Sequence, residues 1–124
     1  MLHELRSRPG HRWFSDADRD LYVWLDADER FTGFQLCYDK RSGERAITWR
    51  VGGSLEHASV NAGDELPTRN DAPELIALVD AVPLTRLREE FEQAGRTIDP
   101  AVYAFVMDVL STNGGHRQRG GAVR

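Results

Sequence analysis

The sequence predicts an α+β domain: a four-stranded antiparallel β-meander followed by about three α-helices packed on one sheet face. Three observations carry this expectation. From 20 to 61 the apolar residues alternate with a period of two and gather aromatic and β-branched side chains. After the polar stretch 62–71 the apolar period changes to about 3.6. Short turn-forming segments separate the alternating runs.

The first strand is DLYVWLDA, 20 to 27, and the polar link Asp28-Glu29-Arg30 leads into the second, FTGFQLCYD, 31 to 39. The third, ERAITWRV, 44 to 51, follows Lys40-Arg41-Ser42-Gly43. The fourth, SLEHASVN, 54 to 61, follows Gly52-Gly53, a pair suited to a two-residue type I′ hairpin because both central positions need positive φ. Next, APELIALVDAV, 72 to 82, reads as a helix capped by Asp71 and stopped before Pro83. LTRLREEFEQA, 84 to 94, places Leu84, Leu87 and Phe91 on one stripe and ends at Gly95, expected as its C′ residue. The last helix has Asp99 as cap and Pro100 in the first turn, with Val102, Phe105, Val106, Val109 and Leu110 on one face. Residues 1–111 form a single domain in this reading, and 112–124 a flexible tail containing glycine and arginine.

Register decides which side chains share a face, since a slip of one residue reverses them all. Setting Leu36 against Ile47, Phe34 against Trp49, and Leu21 and Val23 against Leu36 and Phe34 collects the apolar residues under the helices. A Val51–Ser54 hairpin closure then puts Ala58 and Val60 on that floor, with Glu56 its one awkward member. The opposite face acquires two cross-strand rows: Trp24, Gly33, Arg50, Leu55, and Tyr22, Gln35, Thr48, His57. Phe31 extends the apolar part, and Cys37 lies beside Ala46 and Asp20. Glycine within a strand marks a close backbone approach, and a Trp24 indole with an Arg50 guanidinium stacked on it accounts for Gly33.

This second face is the candidate site. Trp24, Tyr22, Arg50 and Leu55 with polar neighbours have the composition of an interface core, so the first reading is a non-enzymatic module binding a protein partner or itself as a homodimer. The second reading is a small-molecule binder or enzyme using His57, Gln35, Thr48 and Arg50, with Arg50 anchoring an anion in a concave pocket. A third is RNA binding by the sheet aromatics and the arginines of the tail.

Composition narrows the field. Hydrophobic residues at 40% and charged residues at 29% fit one globular domain in 124 residues, and a formal net charge of -4 gives no general attraction to nucleic acid or anionic membranes. One cysteine forms no internal disulfide, and no apolar stretch has the length of a membrane span, so a cytoplasmic location is expected. The DADRD stretch, 16 to 20, opens like a calcium loop, but Leu21 stands where the turn glycine belongs and Ala27 where the bidentate glutamate belongs. It reads as an acidic turn. His3, His11, His57 and His116 lack metal-ligand spacing, no phosphate-cradling glycine loop is present, and neither a metal nor a cofactor is implied.

Overall fold

The computed structural model describes residues 1–60, 75–77 and 82–116. The class is α+β: among the described residues, an antiparallel sheet with two helices, where the sequence predicted four strands and three helices. The strands are β1 (His3–Arg8), β2 (His11–Ser15), β3 (Asp20–Leu25), β4 (Phe31–Tyr38), β5 (Arg45–Arg50), β6 (Glu56–Val60) and β7 (Leu75–Ala77). They lie in the sheet in chain order. The helices are α1 (Leu84–Ala94) and α2 (Pro100–His116).

β1 and β2 form a hairpin around a turn at Gly10, whose φ is +81°. In β2 the alternation sends Phe14 into the core, completely buried, and His11 and Trp13 to the other side. Leu2, ahead of β1, is buried, and its N–H donates to the Ala94 carbonyl at the end of α1. Arg12 fixes the hairpin to α2: it donates two hydrogen bonds to the Glu4 carboxylate at 2.9 Å and one to Asp99 at 3.0 Å.

The expected register of β3, β4 and β5 is found: Leu21 pairs with Leu36, Val23 with Phe34, Leu36 with Ile47 and Phe34 with Trp49. The helices cover this face. Leu84, Leu87, Phe91 and Ala94 of α1, with Val102, Val106, Val109 and Leu110 of α2, close a single core over Phe14, Leu21, Val23, Phe34, Leu36 and Ile47. The Asp99 cap is present, its carboxylate accepting the Ala101 N–H at 2.9 Å.

Several expectations fail, each for a local reason. The stretch Leu75–Ala77, expected inside a helix over 72–82, is a strand paired with β6, whose outer backbone groups it satisfies. A short apolar run has no distinguishing period, and pairing decides it. Residues 72–74 and 78–81 of that predicted helix lie outside the described residues, and Val82 belongs to neither a helix nor a strand. Helix α2 continues to His116, so the predicted tail from 112 begins as helix; 117–124 lie outside the described residues. Gly95 has φ -96° and is no left-handed C′ residue; an added Cβ would stand 3.0 Å from the Phe91 ring and 3.1 Å from Tyr103, so a larger residue there requires those rings to give by a few tenths of an ångström.

The consequential failure is at the β5–β6 link. Only Gly52 has a positive φ, +85°, and the Gly53 N–H donates to Arg50 O at 2.8 Å, so the turn spans Arg50–Gly53 rather than Val51–Ser54. β6 is therefore shifted by one residue: Thr48 pairs with Glu56, Ile47 with His57 and Ala46 with Ala58. The sides of β6 are exchanged relative to the prediction. Glu56 leaves the core floor, Ala58 moves to the second face, and Val51, expected as the last residue of its strand, is an exposed turn residue.

Candidate functional site on the second sheet face

With both helices on one side, the other side of β2–β6 is built by alternation alone. Its rows are His11, Trp24, Gly33, Arg50, then Trp13, Tyr22, Gln35, Thr48, Glu56, then Ser15, Asp20, Cys37, Ala46, Ala58. Tyr22, Trp24, Gln35, Thr48 and Arg50 are brought together as the sequence predicted. Leu55 and His57 are not.

Leu55 packs against the main core. His57 is buried on the helix side, hydrogen-bonded through Nε2 to the Tyr38 hydroxyl with the two rings stacked. The one-residue shift of β6 causes both departures, and an acid/base group at His57 is not assembled with Gln35, Thr48 and Arg50. Phe31 also leaves this face. Trp24 pairs with Gly33 but Leu25 with Phe31, so Thr32 is an extra residue in the ladder and the bulge returns Phe31 to the core, 4.9 Å from Phe105.

Gly33 is explained by contact distance. A Cβ at this position would lie 2.5 Å from the Trp49 carbonyl oxygen and 3.1 Å from both Cα and Cγ of Arg50. The Arg50 side chain crosses the space over the glycine and brings its guanidinium carbon to 4.3 Å from the Trp24 ring centre. Such a contact contributes on the order of 0.5 to 1 kcal/mol at an exposed site.

Sequence reasoning missed the contribution of β2. Trp13 stacks on Tyr22 at 5.8 Å with the rings 13° apart, and His11 approaches the same tyrosine at 6.0 Å. The available signal was the alternation in HRWFS, with Phe14 between two outward residues. Trp13 and Trp24 pack on a small buried cluster of Tyr22, Cys37 and Ala46.

The polar groups here are held in an apolar setting. Gln35 is buried and its amide donates to Cys37 Sγ at 3.5 Å. Burial raises the Tyr22 hydroxyl well above its ordinary range and pushes the Cys37 thiol up to about 12. A thiol so placed is neutral and is no nucleophile at neutral pH. Among the described residues, neither Thr48 Oγ1 nor Trp13 Nε1 has a hydrogen-bond partner, although both atoms are buried. At the lower edge, Asp20 accepts from Ser15 at 2.6 Å and from Lys40 at 3.2 Å.

A cleft of about 390 Å³ lies elsewhere, between the N-terminus, the turn at 16–19 and α1, lined by Met1, Asp16, Arg19, Glu90 and Gln93 among others. None of the face residues lines it. The turn is the acidic one expected: Asp16 accepts the N–H groups of Asp18 and Arg19, both at 2.8 Å, and Arg19 pairs with it. Among the described residues, no group of three or more His, Cys, Asp or Glu is placed to hold a metal ion, and no helix is long and apolar enough to cross a membrane.

No protein-family model, curated protein or solved structure matches the chain.

Proposed function

We propose that the chain is a non-enzymatic interaction module that binds a protein through the second face of its sheet, with Trp13, Tyr22, Trp24 and Arg50 at the centre. The observation that supports this reading is the Arg50–Trp24 contact: an exposed guanidinium lies over a half-buried indole on the face opposite both helices. Tryptophan, tyrosine and arginine are the side chains that carry most binding energy at protein interfaces. Flat aromatic faces suit a macromolecular surface better than a small solute, which needs concavity to lose most of its hydration.

Photo-crosslinking in cells tests the proposal. A benzophenone amino acid replaces Trp24 in one sample and Glu92, exposed on α1, in another. Protein adducts from position 24 in excess of those from position 92 are the expected result. Equal or absent adducts at position 24 refute the reading.

A further inference from the structure

Resting on that reading, we infer that the protein bound by this face is a second copy of the same chain, placed by a two-fold axis that exchanges Arg50 and Glu56. Both side chains are exposed and share the face, on the adjacent strands β5 and β6 and one row apart. They carry opposite charges, and among the described residues neither forms an ion pair or a hydrogen bond through its side chain. Arg12, Arg19, Lys40, Arg41 and Arg86 are paired with acids of their own chain, whereas the Arg50 guanidinium lies over the Trp24 ring.

A two-fold interface must be self-complementary: if residue i meets residue j, then j meets i. An opposite-charge pair set diagonally on one face is the smallest element that satisfies this rule, because one rotation forms two Arg–Glu pairs. For two sheets packed face to face, the axis lies in the plane between them and bisects the line from Arg50 to Glu56.

Its course follows from strand spacing of about 4.8 Å and about 6.7 Å between rows. On that lattice the axis runs close to Thr48 and Gln35. Each Thr48 then lies beside its own counterpart, which offers a partner to the hydroxyl that has none among the described residues. The rotation also sets the broad Trp24 ring against the small Ala46 and Ala58 of the other copy, a fit of large to small. Asp20, farther along the axis, is already neutralised by Lys40.

Five strands and three rows make a face of about 24 by 20 Å, roughly 500 Å² per copy. The pair then buries about 1,000 Å², at the lower bound for specific association, so the dimer is weak and dependent on concentration.

Sedimentation equilibrium on the full chain, from about 10 to about 500 µM, tests the inference over the micromolar range expected for an interface of this size. The wild type should rise from 14.0 kDa toward twice that mass. Arg50→Glu and Glu56→Arg, both at exposed positions and checked by circular dichroism, should each weaken self-association at least tenfold. An equimolar mixture of the two variants should recover it, because one copy then presents two acids to two arginines of the other, and both contacts again join opposite charges. A wild type that stays monomeric, a dimer indifferent to both substitutions, or a mixture that remains monomeric overturns the inference. The crosslinks separate this from the broader reading: adducts at twice the chain mass support the second copy, adducts of other masses overturn it while the interaction reading stands, and none overturns both.

Discussion

Replacing Gly33 by alanine tests the central contact of the face with one methyl group. The added carbon would lie 2.5 Å from the Trp49 carbonyl oxygen, whereas ordinary C···O approaches are about 3.3 Å or more. β4 and β5 must therefore separate by about 0.8 Å. The adjacent hydrogen bond from Val51 N–H to Thr32 O, 2.8 Å long, stretches beyond the useful range if it follows. Overpacking of this kind costs about 1 to 3 kcal/mol, and the reduced freedom of the unfolded chain returns about 0.5 to 1 kcal/mol. A net loss of about 1.5 kcal/mol results. For a chain of 124 residues the unfolding entropy is roughly 260 cal/mol/K, so the melting temperature falls by about 6 °C. Urea unfolding followed by tryptophan fluorescence, with thermal melts, measures the change. Gly53→Ala is the control, since its Cβ would meet Arg50 O at an ordinary 3.4 Å and its φ is outside the left-handed region. It should stay within about 0.5 kcal/mol of wild type. A Gly33→Ala protein as stable as wild type, or one no worse than the control, refutes the steric account.

Arg12→Met should cost about 1 kcal/mol in urea unfolding, because it removes the partly exposed pairs with Glu4 and Asp99 while keeping an apolar stem over Phe14. The Ala101 N–H and Arg12 hold the Asp99 carboxyl below its ordinary range. Its share of the stability is therefore present above about pH 4 and fades as the pH falls through the lower folded value, so wild type and variant should converge on acidification. Cys37, with its thiol pushed up to about 12 by burial, should react with a thiol reagent at pH 8 at least 100-fold more slowly in the native protein than in urea. The unfolded thiol ionises first, so Cys37 also makes stability fall as the pH rises from its ordinary value toward about 12, and Cys37→Ala should reduce that slope.

The sequence was most legible where apolar alternation left one workable register. Leu21, Val23, Phe34, Leu36, Ile47 and Trp49 have a single arrangement that buries them together, and the pairing of β3, β4 and β5 follows from it. Trp24, Gly33 and Arg50 come together as a consequence. Legibility ended where one residue's backbone conformation mattered. Gly52-Gly53 supports two adjacent turns, and the choice of Arg50–Gly53 sends Leu55 and His57 to the core and Glu56 to the surface. The awkward position of Glu56 under the predicted floor was the internal sign of that choice. The bulge at Thr32 likewise left no mark in the alternation of Phe31 and Phe34, since both are aromatic and both meet the core, Phe34 buried and Phe31 partly so. β1 and β2 were obscured by arginines, whose long stems cover apolar neighbours while their charges imitate a solvated arm.

The contacts of the amino-terminal hairpin also bear on the order in which the molecule assembles. Arg12 bonds to Asp99 across a separation of 87 residues, and Leu2 can donate to Ala94 only once α1 has formed. Loop closure over so long a distance offers little reward early in folding, whereas the hairpins of β3, β4 and β5 close locally. The hairpin is thus expected to dock late, as a latch on a body that is already organised. Substitutions at Arg12 should accelerate unfolding and leave the refolding rate nearly unchanged, so the first residues of the chain act on how long the native state lasts rather than on how fast it is reached.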